Sequence, residues 1–146
     1  MALLRSPADV DPHADLGTQE YSYAFYCHAL PFAEAHVAET ADAFGTALIS
    51  CESAKDSILP AFSLFRFAQG RLIIKQIKPA EDGQGLILRC FEPLGCSASD
   101  RLLCHQAITK ITKCNMLEEA FQELSPDEEI EAKPFEIITL RLELEA

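Results

Sequence analysis

Residues 72–93 read LIIKQIKPAEDGQGLILRCFEP, two apolar runs joined at an Asp-Gly dipeptide. In the first run Leu72, Ile74 and Gln76 alternate with Ile73, Lys75 and Ile77. In the second, Leu86, Leu88 and Cys90 alternate with Ile87, Arg89 and Phe91. A period of two is the pleat of a β-strand, so each run is predicted to be one. Between them Gly83 supplies the turn, because glycine takes positive φ without a Cβ clash. Lys78 and Glu81 are placed to pair across the hairpin mouth, a surface pair of the kind that contributes about 0–1 kcal/mol.

The same reading extends outward from the hairpin. Phe135 to Leu144 alternates cleanly, with Ile138, Leu140, Leu142 and Leu144 against Thr139, Arg141 and Glu143. That pattern predicts a half-exposed antiparallel strand. Ala107 to Cys114 places Ile108, Lys110, Thr112 and Cys114 on one side. Leu48 to Glu52 and Ser63 to Ala68 read as short strands separated by Pro60. From Glu20 to Ala29, Tyr21, Tyr23, Phe25 and Cys27 share one face and Ser22, Ala24, Tyr26 and His28 the other. Both faces are largely apolar or aromatic, which predicts a substantially buried strand. Phe32 to Phe44 carries Val37, Ala41 and Phe44 at helical spacing, between Pro31 and Gly45, and predicts a short helix. Residues 3–19 form an acidic, extended lead-in punctuated by Pro7, Pro12 and Gly17. Ser125 to Glu131 is an acidic turn. Short strands between turn signals indicate a mainly β protein: an antiparallel β-sandwich with one short helix, over residues 1–146 as a single domain.

Composition narrows the function. The chain has 146 residues, 49% of them hydrophobic, enough for a core of its own. Lys and Arg number 12 and Asp and Glu 23, so the net charge is 12 − 23 = −11. That balance argues against nucleic acid, whose phosphates need a basic face. It also argues against an anionic membrane surface. No apolar run reaches the roughly 20 residues that span a bilayer. The start has no apolar signal region. Several of the six cysteines fall in apolar runs, which reads as reduced thiols in a cytoplasmic protein. Their even number leaves disulfides open.

Several segments together resemble a known domain. They are Leu3-Leu4-Arg5-Ser6-Pro7, Asp11-Pro12, Ala14-Asp15-x-Gly17, Gln19-Glu20-Tyr21 and Tyr23-Ala24-Phe25-x-x-His28. To these add Lys78 with Ala80 to Gly83, Gly85 to Arg89, Glu92-Pro93, Met116 to Glu119, and Pro134 to Leu142. The set resembles the last, non-catalytic β-domain of family 38 glycoside hydrolases, the zinc-dependent α-mannosidases, and is nearest to the cytosolic and bacterial type. Three positions depart from that pattern: Gln19 for a His, Cys27 for a Pro before His28, and Glu119-Ala120 for Arg-Pro. The resemblance implies a retaining parent enzyme acting on terminal α-mannosides. Its carboxylate nucleophile, its acid/base and its zinc would lie upstream of residue 1. Met1-Ala2, followed at once by a strand-end motif, reads as a truncated start or a separate gene for the tail. The implied partners are the upstream catalytic domain and the parent's mannoside, and this chain itself would hold no cofactor.

The chain also holds residue types that could carry chemistry of their own. Zinc needs three or four convergent ligands. The two Cys-His dipeptides, Cys27-His28 and Cys104-His105, point their side chains to opposite strand faces. A glycosidase needs two carboxylates roughly 5–10 Å apart. Asp127, Glu128, Glu129 and Glu131 read as a solvated turn. Asp9, Asp11 and Asp15 form the other acidic group. In a parent enzyme Arg5, Asp11 and Asp15 become substrate-proximal candidates, against the simpler account of an ordered linker with Asx turns. No catalytic residue and no metal ligand is expected in the chain. A stand-alone carbohydrate-binding or protein-interaction module stays open as the alternative. It lacks Trp, and its three tyrosines sit on a strand that reads as buried.

Overall fold

The computed structural model describes residues 9, 12–13, 16–50 and 63–145. The chain divides into two compact units, Met1–Val37 and Ala38–Ala146. Helix α1 spans Val37–Gly45. The strands are β1 Phe65–Phe67, β2 Ile73–Pro79, β3 Leu86–Phe91, β4 Ala98–Asp100, β5 Leu102–Cys104, β6 Ile108–Cys114, β7 Ala120–Leu124, β8 Ile130–Ala132 and β9 Ile137–Leu144. All pairings are antiparallel. The main sheet runs β2-β3-β9-β6-β7, and β1-β5 and β4-β8 form two smaller pairs.

The sandwich follows from alternation. Leu86, Leu88 and Cys90 of β3 stand opposite Leu142, Leu140 and Ile138 of β9. Cross-strand partners share a face, so this face is continuous oil. With Ile111 and Leu124 it packs on Phe65, Phe67, Leu102, Ala98, Ile130 and Ala132 from the two small pairs, in one core. Leu88, Leu140 and Leu142 are fully buried. Each such side chain contributes roughly 1.5–3 kcal/mol of transfer free energy. Asp100 is also buried, and its carboxylate accepts from the N–H groups of Gln69, Arg71 and Arg101 at 2.8–2.9 Å. It ties the β1–β2 connection to β4 through both carboxylate oxygens.

The hairpin forms as its residues dictate. Gly83 has φ +74°, Gly83 N–H donates to Ala80 O at 2.9 Å, and Ala80 N–H to Gly85 O at 3.1 Å. Gly85 is needed for a second reason. A Cβ there would lie 2.4 Å from the carbonyl oxygen of Leu142, so only glycine lets β9 pass this close.

Five expectations are corrected. Glu20–Ala29 forms no strand, and every one of its residues is exposed. Alternation equips a segment to be a strand, but a strand needs a neighbour's N–H and C=O groups, and none of the described residues provides them. Residues 48–50 likewise form no strand and are exposed, and the rest of that predicted strand lies outside the described residues. The helix begins at Val37 instead of after Pro31, because His36 sits at φ +49°, a left-handed backbone that stops a right-handed helix. The outer face of β9 is not open to water throughout. Thr139 is buried, with its hydroxyl 3.7 Å from Met116 Sδ. On β6 a register shift between Ile108 and Lys110 turns Ile108 toward the core, while Lys110, Thr112 and Cys114 keep a common face.

Candidate functional site

Among the described residues, the densest group of interacting charges lies on the outer face of the main sheet. Lys78 on β2, Arg89 on β3 and Arg141 on β9 project from it by strand parity. Two loops fold over them, 80–84 from the hairpin and 115–119 between β6 and β7. Glu118 sits at φ +66° and is buried. Its carboxylate meets Lys78 Nζ at 2.7 Å and accepts from Glu81 N–H at 2.9 Å. Lys78 also pairs with Glu81, as the sequence predicts. Arg141 pairs with Asp82 and reaches Glu118 at 4.0 Å. Arg89 donates to Gln76 Oε1 and to Met116 O, both at 3.1 Å. The network pins both loops to the sheet.

Its electrostatics suit a clasp. The Glu81 N–H and the Lys78 ammonium hold the Glu118 carboxyl below its usual range. The Arg141 guanidinium and Gln84 N–H do the same for Asp82. Lys78 is raised, mainly by its bond to Glu118 and then by Glu81. A glycosidase acid needs a carboxyl pushed up so that it keeps its proton at neutral pH. Here the neighbours push the carboxyls down, so these groups stay ionised and paired.

Beside the clasp runs an apolar groove of about 500 Å³. Phe91, Pro93, Met116, Phe135 and Ile137 wall it, with Arg89 and Lys75 at its polar margin. Phe135 is 70% exposed, Ile137 64% and Met116 57%. Phe135 is held in place at a cost: its φ is +58°, outside the comfortable range for a bulky residue. Glu92 anchors it. That buried carboxylate accepts from the N–H groups of Phe135, Leu94, Gly95 and Cys96 at 2.7–3.2 Å. Burial pushes the Glu92 carboxyl up, but the hydrogen bonds from Phe135, Leu94, the Cys96 thiol and Gly95 outweigh it and leave its pKa lowered. Gly95 lies under the ring: a Cβ there would be 2.4 Å from Phe135 Cζ.

The sequence-predicted site residues fare unevenly. Arg5, Asp11 and Asp15 lie outside the described residues. In the acidic turn, Glu128 accepts from Ser125 N–H at 3.0 Å and Glu129 from Ser99 Oγ at 2.5 Å, which are turn and strand-end contacts. Among the described residues no three His, Cys, Asp or Glu side chains converge on a point that could hold a metal. Burial pushes the Cys90 thiol up to about 12, and raises Cys114 as well. Cys96 is raised first by its bond to Glu92. None of these three is a ready thiolate nucleophile. Tyr21, Tyr23 and Tyr26 are exposed, not buried as expected, which removes one ground against ring stacking on a ligand. Glu118, Arg141 and the Phe135 groove escaped the sequence reading. Glu118 and Arg141 lie far apart along the chain, and only strand order brings them together.

Comparison with known proteins completes the picture. Residues 71–140 match the family model described as the glycosyl hydrolases family 38 C-terminal beta sandwich domain. A provisionally named mannosylglycerate hydrolase of Halalkalibacterium halodurans is 31% identical over 113 residues, 76% of this chain and 12% of the relative. Alpha-mannosidase 2C1 of Mus musculus is 30% identical over 122 residues, 82% of this chain and 12% of the relative. Alpha-mannosidase G of Dictyostelium discoideum is 26% identical over 150 residues, 97% of this chain and 14% of the relative. The chain thus spans about one eighth of the length of these relatives.

Proposed function

We propose that this chain, which belongs to the family 38 glycosyl hydrolases through their C-terminal beta sandwich domain, serves as the non-catalytic end of an α-mannoside-cleaving enzyme. Its part is architectural. It covers a flank of the catalytic domain in the same polypeptide and lends one wall to the region around the substrate. The observation that carries this reading is the apolar groove at Phe135, Ile137 and Met116. Three large apolar side chains more than half exposed on one sheet face are what a domain leaves behind when its neighbour is taken away.

The reaction belongs to the parent. It is a retaining hydrolysis of terminal α-mannosides, with zinc, nucleophile and acid/base all supplied by the catalytic domain. Among the described residues no three His, Cys, Asp or Glu side chains are placed to hold zinc. Arg5, Asp11 and Asp15 act from the lead-in as braces near the substrate. The setting is cytoplasmic, in keeping with the free thiols of Cys27, Cys90, Cys96, Cys104 and Cys114.

An aryl α-mannoside assay tests this. The purified 146-residue chain should release no aryl alcohol with or without added zinc, whereas the complete polypeptide should turn over. Zinc-dependent turnover by the chain alone, abolished by a substitution within it, would overturn the reading.

A further inference from the structure

Glu20–Ala29 in the unit Met1–Val37 has the side-chain alternation of a strand, and no strand lies beside it among the described residues. Its backbone makes no hydrogen bond to any described main-chain group, and all ten residues are exposed. Yet its side chains already stand as a strand would hold them. Tyr23 and Phe25, two apart, meet edge-on at 6.0 Å between ring centroids. Tyr26 and His28, also two apart and of the opposite parity, lie at 5.6 Å. Pairs at i and i+2 form on each side of an extended backbone and not along a helix. The Tyr26 hydroxyl donates to Ala35 O at 3.1 Å, which fixes one end of the segment to the following turn.

We infer that Glu20–Ala29 is a donated β-strand that completes a sheet in the part of the parent polypeptide preceding this chain. The inference rests on the proposed function and deepens it by naming the joint. Its physical ground is twofold. Ten exposed residues whose N–H and C=O groups have no partner among the described main-chain groups, on an aromatic segment, form an open edge of the kind that folded proteins cover. Addition to a sheet edge satisfies both the main chain and alternate side chains. The occupant follows from length. The relatives run on for about seven eighths of their chains beyond the matched part, and the matched family domain is C-terminal, which favours a sheet of the same polypeptide as the occupant. Tyr21, Tyr23 and Phe25 then enter the partner's core, while Ser22 and Ala24 let a second layer approach the other face.

Amide hydrogen exchange read by mass spectrometry tests the inference. In the isolated chain, residues 20–29 should exchange close to the rate of an unstructured peptide, while residues 86–91 stay protected. In the complete polypeptide, residues 20–29 should slow by about 100-fold or more, as paired strands do. Tyr23→Pro removes a ladder donor and should cut that protection at least about tenfold. Tyr23→Thr keeps the donor and a strand-forming side chain and should preserve it, which settles the matter where the proline variant disturbs the sandwich. Equal, fast exchange in both proteins overturns the inference. So does protection in the isolated chain that grows with protein concentration, which would make a second copy the occupant. Protection produced by an oligomannoside alone would make the rings a sugar platform instead. A complete polypeptide that protects the segment but cleaves no mannoside refutes the proposed function and leaves the joint standing.

Discussion

Glu118 shows what a single residue can do when position and backbone cooperate. It is a buried acid at positive φ, and its carboxylate holds a lysine, a backbone N–H and the edge of an arginine. The pH consequence follows from the lowered pKa values of Glu118 and Asp82. On descending pH the unfolded chain takes up protons first, near its ordinary carboxyl values of about 4. The stabilisation is therefore complete above those values and is lost as pH falls through the lower folded ones. Lys78 works in the opposite sense, because its pKa is raised. Its contribution is present below its unfolded value and lost only as pH rises through the folded one. Glu118→Gln should flatten the acid limb of Tm against pH between about pH 5 and 3. An unchanged limb would mean the clasp adds nothing to stability. Thiol reactivity gives a second check at this scale. Cys27 is exposed and Cys90 is buried with its pKa pushed up to about 12. Maleimide at neutral pH should label Cys27 in the native protein and Cys90 only after unfolding, as counted by mass.

Among the elements, β9 is the keystone, since it pairs with both β3 and β6. Leu140 is fully buried at its centre. Leu140→Ala should cost on the order of 2–5 kcal/mol in urea melts, from lost transfer energy and the cavity left behind. A loss below about 1 kcal/mol would place Leu140 off the core face. β9, β2 and β3 were legible because period-two alternation needs only local sequence, and Asp82-Gly83 marked their turn. The small pairs β1-β5 and β4-β8 were not fully legible. Three residues such as Ala98–Asp100 carry too little alternation to register, and long-range partners decide their fate. Thr139 misled for the same reason. Polar and at an outward position, it is covered by Met116 from a loop that no local pattern announces. Glu20–Ala29 misled in the other direction: its pattern is that of a strand, but no partner lies among the described residues.

For the whole molecule, the site divides the same way. The family resemblance could be read from quoted motifs such as Ala80 to Gly83 and Pro134 to Leu142, and residues 71–140 bear it out. The groove could not be read, because Phe91, Met116, Phe135 and Ile137 come together only in space. At this scale the lead-in also matters. Arg5→Ala or Asp15→Ala should barely move the isolated chain's Tm but lower kcat/KM of the complete enzyme. A tenfold loss would correspond to about 1.4 kcal/mol of transition-state stabilisation. Unchanged kinetics would reduce the segment to a linker. The central claim is that this sandwich is the docked, non-catalytic end of a larger hydrolase. Its most direct test is calorimetric titration of the purified chain into the remainder of the same polypeptide. The account predicts a one-to-one complex with negative heat-capacity change, weakened at least about tenfold by Ile137→Asp, because apolar burial drives it. No heat of binding, together with a remainder already fully active and stable alone, would contradict it.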